Sequence, residues 1–237
     1  MAGPTSLDWP NCLNVRDLGG LPASNGRRIR TGALIRSDNL SRLTEEGVAA
    51  VRAARVSRIV DVRSPAECES DPSPFRADPM YRNLPLYRET DTFDATLTLA
   101  QDYMVMLDHN PDLLAAAVGA IADAPTGGVV VHCHAGKDRS GNVVALALGL
   151  VGVPAEAIAA DYAAIDDRMA EHFAGQLDLV VDRTERAQLD ESFSARPETM
   201  LALIAHVHDR YGGAEPYLRY GGLTVRQVER LRSRLIA

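Results

Sequence analysis

The clearest hydrophobic pattern in the chain is at residues 129–131, where three consecutive valines follow Gly127 and Gly128. A β-branched run that is too short for a helix predicts a fully buried strand. After an interruption of polar residues and glycine, positions 142–150 are apolar and rich in alanine, which predicts a buried helix. The sequence therefore predicts a strand, a tight loop and a helix in succession.

Similar patterns predict the remaining elements. Short segments between turn and loop residues predict strands at 28–31, 33–36, 56–62 and 80–84, the first two forming a hairpin after the turn at Asn25-Gly26. Helical periodicity and capping residues predict helices at 44–54, 92–108, 111–122, 154–163, 197–211 and 224–235. We expect a single α/β domain over residues 1–237, with a central, mostly parallel sheet flanked by helices.

Residues 164–195 have a helical pattern but are strongly charged. They are therefore either a solvated pair of helices on the surface or a cover over a functional site.

Composition and charge exclude several classes of protein. The chain has 237 residues, 46% of them hydrophobic, which is enough for one large core. Its net charge is −7 and no basic run occurs, so we expect no nucleic-acid partner. The three cysteines, Cys12, Cys68 and Cys133, suit a reducing compartment. With no leader-like N-terminus and no apolar run of membrane-spanning length, we expect a cytoplasmic protein without stable membrane insertion.

The loop after the valine strand carries the candidate chemistry, reading H-C-H-A-G-K-D-R-S-G from His132 to Gly141. A tight loop between a strand and a helix directs successive backbone N–H groups at one point, where the helix adds its positive end. A tetrahedral oxyanion such as phosphate fits this nest. The residues expected to bind it are His134, Ala135, Gly136 and Lys137.

Side chains of the same loop would turn the nest into a catalyst. At the mouth of the nest, beside Arg139 and Lys137, the Cys133 thiol is expected to ionise at neutral pH, and the thiolate is the form that attacks phosphorus. Arg139 has a planar fork that can hold two phosphate oxygens. Ser140 is placed to donate its hydroxyl to the sulfur when a phosphocysteine breaks down. We expect His132 to orient the loop.

The single lysine of the chain strengthens this interpretation. Lys137 is one of 25 lysine and arginine residues, and all the others are arginine. A compact ammonium at this position would match an extra anionic group on the substrate and favours broad specificity. A Cys-x5-Arg spacing alone arises often by chance, but here the strand, loop and helix agree with it. A nucleoside-triphosphate loop is excluded because Gly-x4-Gly-Lys-Ser/Thr is absent.

The loop sequence resembles that of the protein tyrosine phosphatase superfamily. Its Gly-Lys-Asp-Arg variant resembles the bacterial branch typified by mycobacterial protein tyrosine phosphatase B and its lipid-phosphatase relatives. Further matches occur in order along nearly the whole chain, at Asn14–Gly20, Arg36–Leu40, Asp61–Ser64 with Glu67, Tyr211–Gly213 and Tyr217–Leu218.

The resemblance implies a tyrosine-phosphatase-like fold with a helical lid at about 161–195. It also implies a cysteine-dependent phosphatase that uses no metal and no cofactor. Its substrate would be a phosphorylated protein, with phosphotyrosine preferred over phosphoserine and phosphothreonine, or a phosphoinositide.

The mechanism needs a carboxylic acid to protonate the leaving oxygen. The chain has no Trp-Pro-Asp loop, so no motif identifies this acid. Asp138, which the resemblance favours, is the first candidate, although it would equally brace the loop. Asp61 is the second candidate, and Asp91 and Asp94 are the third.

The end of the predicted strand at 56–62 supplies two more candidate site residues. The carboxyl ends of strands line the site in an open α/β sheet, so Asp61 and Arg63 are expected near the thiol. Arg63 would either contact phosphate or the loop, or pair with Glu67 or Glu69.

Arg16 is expected to support the loop. It would either pair with Asp17 beside the active loop or face the phosphate itself.

Two other functions are compatible with a cysteine and an arginine in an anion loop. A module that only recognises phosphorylated partners would not need Cys133, Asp138 and Arg139 together. Thiolate chemistry such as sulfur transfer or arsenate reduction is the second alternative. Arsenate reduction normally needs partner cysteines, and Cys12 and Cys68 lie far from Cys133 in the sequence.

Overall fold

A mixed six-stranded sheet forms the centre of the computed structural model, which describes residues 3–92, 94 and 96–237. The strands are β1 (Thr5–Ser6), β2 (Arg16–Asp17), β3 (Leu34–Ser37), β4 (Val56–Asp61), β5 (Tyr81–Asn83) and β6 (Gly128–His132). Their spatial order is β1-β2-β3-β6-β4-β5. The four strands from β3 to β5 in this order are parallel, and β1 and β2 add an antiparallel edge.

Helices follow in the order α1 (Glu45–Ala53), α2 (Pro65–Ser70), α3 (Leu99–His109), α4 (Pro111–Ala122), α5 (Asp138–Leu150), α6 (Ala155–Ala163), α7 (Ile165–Leu177), α8 (Arg183–Phe193), α9 (Pro197–Tyr211), α10 (Ala214–Tyr220) and α11 (Val225–Leu235). Short 3-10 turns occur at Ser24–Gly26 and Leu40–Arg42.

The valine strand β6 lies at the middle of the sheet and is fully buried, as the sequence predicts. Side chains alternate between the two faces of a strand. Val129 and Val131 therefore join the larger core, and Val130 joins a smaller core on the opposite face. Both faces of the sheet are thus covered, which confirms the predicted α/β architecture.

The parallel register fixes where the candidate loop leaves the sheet. His132 pairs with Ser37 of β3 on one side and with Asp61 of β4 on the other. The residue that follows, Cys133, therefore emerges at the centre of the carboxyl edge, where the ends of three strands meet.

Most of the predicted helices are confirmed, and their caps explain their limits. Thr44 begins α1 because its side chain accepts a hydrogen bond from the N–H of Gly47. The helix predicted over 92–108 begins later, at Leu99, since Thr98 and Gln101 form a capping box there. Positions 93 and 95 of that prediction lie outside the described residues.

The predicted hairpin of 28–31 with 33–36 is wrong. β3 forms, but its antiparallel partner is β2. Arg28 and Ile29 make only isolated bridges, to Pro22 and Ile236 respectively.

Within the described part of the chain, no helix is long and apolar enough to cross a membrane.

The start of β6 offers a test of this packing. A Cβ added at Gly128 would lie 2.7 Å from the carbonyl oxygen of Gly32, so we expect Gly128→Ala to lower the free energy of unfolding by about 1–3 kcal/mol. Gly175, inside α7, faces open space, so Gly175→Ala should raise it by roughly 0.5–1 kcal/mol. Urea unfolding measures both changes. Equal stability of the two variants would contradict the packing described for β6.

Candidate active site

The candidate loop joins β6 directly to α5. The thiol of Cys133 is almost fully buried, and its Sγ lies 3.4 Å from the hydroxyl oxygen of Ser140 in the first turn of α5. Gly136 has a φ of 71°, and a Cβ there would lie 2.5 Å from the carbonyl oxygen of Ser37. Glycine is therefore required where the loop passes β3.

The carbonyl groups of the loop are held from behind. The amide of Asn14 donates to the carbonyl of Ala135 at 2.9 Å. The guanidinium of Arg36 donates to the carbonyls of Gly136 and Lys137, both at 2.8 Å. Because the C=O and N–H groups of a trans peptide point in opposite directions, these bonds turn the next N–H groups towards the inside of the loop.

A buried carboxylate fixes the groups that hold the loop. Asp161, near the end of α6, accepts hydrogen bonds from Arg16 at 2.6 Å and from Arg36 at 2.7 Å. All three side chains are at most 1% exposed. Arg16 also donates to Asn14 Oδ1 at 2.6 Å, which leaves the NH2 group of Asn14 to face the loop. Arg16 thus supports the loop indirectly.

The predicted pairing of Arg16 with Asp17 is wrong. The carboxylate of Asp17 accepts instead from the backbone N–H groups of Gly19 and Gly32. Asp161 was not identified from the sequence, since nothing local distinguishes it from a solvated acid in an alanine-rich helix.

Arg139 is held by a carboxylate at the mouth of the loop. Its two terminal nitrogens donate to Glu67 at 2.5 and 2.8 Å. Glu67 is itself fixed by the capping box that it forms with Ser64 at the start of α2. Burial would raise the pKa of Glu67, but the hydrogen bonds and charge of Arg139 outweigh it and lower this pKa to about 2. The guanidinium is therefore oriented before any substrate arrives.

The structure does not bring Asp61 and Arg63 to the thiol, so their expected contact with substrate is corrected. Both side chains are fully buried and pair with each other at 2.7 Å. Tyr81 donates a further hydrogen bond to Asp61 at 2.7 Å. Burial alone would raise the pKa of Asp61, but His132 and Arg63 lower it to about 2. A buried, fully paired carboxylate of this kind cannot donate a proton to a leaving group in the cavity.

His132 lies beneath the loop. Its Nδ1 is 3.2 Å from the carbonyl oxygen of Cys133, and its Nε2 is 3.5 Å from Asp61 Oδ2. Burial lowers the pKa of His132, which favours the neutral ring. These contacts join His132 to the first residue of the loop and to β4, and its role in orienting the loop stays a prediction.

A cavity of about 610 Å³ opens above the thiol. Its floor is the candidate loop, from Cys133, His134 and Ala135 to Lys137, Asp138 and Arg139. Its opposite wall comes from α7, α8 and neighbouring segments and is largely apolar, with Leu13, Leu99, Met169, Phe173 and Phe193. Phe173 and Phe193 stack at 4.3 Å between ring centroids. The cavity therefore combines a polar floor with an aromatic and aliphatic wall.

Lys137 does not extend freely into this cavity. Its ammonium donates to the carbonyls of Ser192 and Ser194 at 2.5 and 3.0 Å, and it lies 3.2 Å from Asp138 Oδ1. Two of its donors are therefore occupied by carbonyls at the end of α8, and its charge is paired with that of the next residue. Lys137 is therefore not placed for the expected direct contact with an extra anionic group of the substrate.

Asp138 does reach the cavity, and its side chain is 40% exposed. Its Oδ1 accepts from the hydroxyl of Tyr103, which in turn lies 2.9 Å from the hydroxyl of Tyr162. With Lys137 on the same oxygen, these contacts are those of a residue that braces the loop.

Asp91 and Asp94, the third choice for the acid, lie in different environments. Asp91 lines the cavity, but its carboxylate accepts from the N–H of Arg88 and the amide of Asn110. Asp94 bonds to Thr96 and does not line the cavity. Asp102, which was not identified from the sequence, lines the cavity from the first turn of α3.

The other two cysteines do not line the cavity. Burial raises the pKa of the Cys12 thiol to about 12 and also raises that of Cys68. Both therefore remain thiols, which disfavours the alternative of arsenate reduction with partner cysteines. Across the described ranges, no group of three or more His, Cys, Asp or Glu residues is arranged to hold a metal ion.

Comparisons with known proteins agree with this geometry. Residues 7–237 match the model of a tyrosine phosphatase family. The chain is 29% identical to a tyrosine-protein phosphatase of Nostoc commune, over 90% of this chain and 78% of that protein. It is 30% identical to a putative tyrosine-protein phosphatase of Cupriavidus necator, over 71% and 66%. It is 27% identical to the triple specificity protein phosphatase PtpB of Mycobacterium tuberculosis, over 97% and 98%.

The buried carboxylate behind the loop gives a direct prediction. Asp161→Asn removes the charge that Arg16 and Arg36 share and leaves both buried and uncompensated. We expect the free energy of unfolding to fall by roughly 3–5 kcal/mol, as measured by urea denaturation. The matched control is Asp167→Asn on the exposed side of α7, which should stay within about 0.5 kcal/mol of the wild type. Equal stabilities of the two variants would show that the network does not support the fold.

Proposed function

Since the chain belongs to the tyrosine phosphatase family and is a protein-tyrosine phosphatase, we propose that it hydrolyses phosphomonoesters through a phosphocysteine formed on Cys133. The observation that carries this proposal is the thiol at the end of β6, in a loop whose carbonyl groups are held from behind and whose Arg139 is oriented by Glu67. These are the groups that a phosphoryl transfer to sulfur requires.

The first step transfers the phosphoryl group to the enzyme. The thiolate of Cys133 attacks phosphorus, the S–P bond forms, and the bond from phosphorus to the substrate oxygen breaks. A carboxylic acid of the cavity gives its proton to the departing oxygen. The backbone N–H groups of the loop and the guanidinium of Arg139 bind the equatorial oxygens, on which charge is spread in the transition state.

The second step returns the thiolate. Water attacks the phosphorus of the phosphocysteine, its proton passes to the same carboxylate, and the S–P bond breaks. Ser140 lies 3.4 Å from the sulfur and is placed to donate a hydrogen bond to it as negative charge returns. The products are inorganic phosphate and the restored enzyme.

The wall of the cavity supports phosphotyrosine as the preferred substrate. The phenyl ring of phosphotyrosine would pack against Leu99, Met169 and Phe173, while its phosphate reaches the loop. Phosphoserine and phosphothreonine offer no ring to this wall. A phosphoinositide carries further phosphates, and Lys137, the expected partner for them, is bonded to main-chain carbonyls. The triple specificity in the name of PtpB supports these as secondary substrates.

We further propose that residues 1–237 are one domain in which α7 and α8 form the lid expected at about 161–195, whereas Asp161 and Tyr162 belong to the core. α7 and α8 supply the wall of the cavity that faces the loop, and α8 itself has no buried residue. The ammonium of Lys137 joins the end of α8 to the phosphate-binding loop.

The proposal is tested with para-nitrophenyl phosphate in the presence of EDTA. We expect the wild type to hydrolyse it and Cys133→Ser to lose nearly all activity, because an unactivated hydroxyl is a poor nucleophile. Cys68→Ser is the matched control, since that thiol does not line the cavity and its replacement should leave turnover in place. Activity that survives in Cys133→Ser, or is absent from the wild type, would refute the proposed mechanism.

Phosphate release from other substrates tests the proposed preference. A phosphotyrosine peptide should show a higher kcat/KM than the matched phosphoserine peptide or a phosphoinositide. The reverse order would show that the apolar wall does not select the substrate.

A further inference from the structure

Four carboxylates line the cavity above the thiol, and they differ in what holds them: Asp38, Asp91, Asp102 and Asp138. Donors of N–H or ammonium type stabilise an ionised carboxylate and oppose its protonation. A group that protonates a leaving oxygen must instead carry a proton at the start of the reaction. The donors around each carboxylate therefore distinguish the candidates.

Three of the four are held by such donors. Both oxygens of Asp38 accept backbone N–H groups, at 3.0 Å each, and these bonds favour its ionised form, although burial raises the pKa of this residue too. Asp91 accepts a backbone N–H and a side-chain amide, both at 2.8 Å. Asp138 is paired with the ammonium of Lys137, 3.2 Å from its Oδ1.

Asp102 is the exception. Among the described residues, no N–H group donates to its carboxylate, and its only partner is the hydroxyl of Tyr87 at 3.5 Å. The side chain is half-buried in the cavity wall. It is thus the carboxylate of the cavity that is least stabilised as an anion by hydrogen bonds.

The surroundings of Asp102 also raise its pKa. Burial, followed by the negative charge of Asp138, raises the pKa of Asp102 against the hydrogen bond from Tyr87. Burial raises the pKa of Tyr87 as well, so its hydroxyl keeps its proton. Arg139 is the nearby cation and bonds to Glu67, and His172 of α7 lines the opposite wall. The first turn of α3 opposes this effect, because its dipole favours the anion.

We propose that Asp102 is the carboxylic acid that protonates the leaving oxygen in the reaction proposed above. In the first step the proton of Asp102 moves to the substrate oxygen as the P–O bond breaks and the S–P bond forms. In the second step the Asp102 carboxylate takes a proton from the attacking water as the S–P bond breaks. Asp138 lies beside Lys137 and Tyr103 and braces the loop, so two nearby carboxylates take different roles because their environments differ.

The test compares Asp102→Asn with Asp138→Asn on two aryl phosphates. Para-nitrophenyl phosphate has a good leaving group that needs little protonation, whereas phenyl phosphate has a poor one. For Asp102→Asn we expect kcat/KM on phenyl phosphate to fall about 10²–10⁴-fold and on para-nitrophenyl phosphate far less. Its pH profile on phenyl phosphate should lose the decline at high pH that the wild type shows as the acid ionises. Asp138→Asn should lower both substrates by a similar factor.

The proposal is overturned if Asp102→Asn loses both substrates equally and keeps the wild-type pH profile, or if Asp138→Asn shows the selective loss instead. Asp102→Glu is the second variant, because it keeps the acid and should restore much of the activity on phenyl phosphate if the role is chemical. No such recovery, with a folded protein by circular dichroism, also counts against the proposal. Failure of the cysteine mechanism is distinguished separately, since it appears as activity that does not depend on Cys133.

Discussion

The buried carboxylate of Asp161 is the interaction on which the rest of the site depends. It pairs with both Arg16 and Arg36, in a place where none of the three side chains is more than 1% exposed. Unpaired, either guanidinium would be too costly to bury. Because Asp161 pairs with Arg36, this guanidinium can lie buried and donate to the carbonyls of Gly136 and Lys137. The orientation of the loop N–H groups is therefore set by the core of the protein, between β2, β3 and α6.

The same principle extends to the charged side chains at the mouth of the site. Arg139 is fixed by Glu67, which a helix cap fixes in turn, and Lys137 is fixed by carbonyls at the end of α8. Groups that are oriented beforehand need no reorganisation when charge develops on a substrate, and such preorganisation is a main source of catalysis. Glu67 takes one N–H group from each terminal nitrogen of Arg139, so the other N–H groups of this guanidinium remain for a phosphate.

The sequence was sufficient where the relevant information is local. The valine strand, the loop and helix α5 follow from residues 129–150, and helix starts follow from caps such as Thr44. The choice of ion-pair partners could not be read in the same way. Arg16 pairs with a residue 145 positions away, and the neighbouring Asp17 binds backbone groups instead.

Exposure was the second property that the sequence left open. Asp61 and Arg63 stand at the predicted strand end, but they face inwards and neutralise each other. In the sequence, Asp102 lies in a predicted helix, where an acidic residue ordinarily faces solvent. Only the fold shows that it lines the cavity. Both cases depend on which way a side chain points at the edge of the sheet, which packing between distant segments decides.

The central claim is that the phosphoryl group passes through the sulfur of Cys133. Rapid acid quench during turnover of a phosphotyrosine peptide, followed by peptide mass spectrometry, tests it most directly. The account predicts one phosphoryl group on the peptide that contains Cys133, absent from Cys133→Ser. Phosphate on another residue, or steady turnover with no phosphoenzyme under quench conditions that preserve thiophosphate esters, would contradict it.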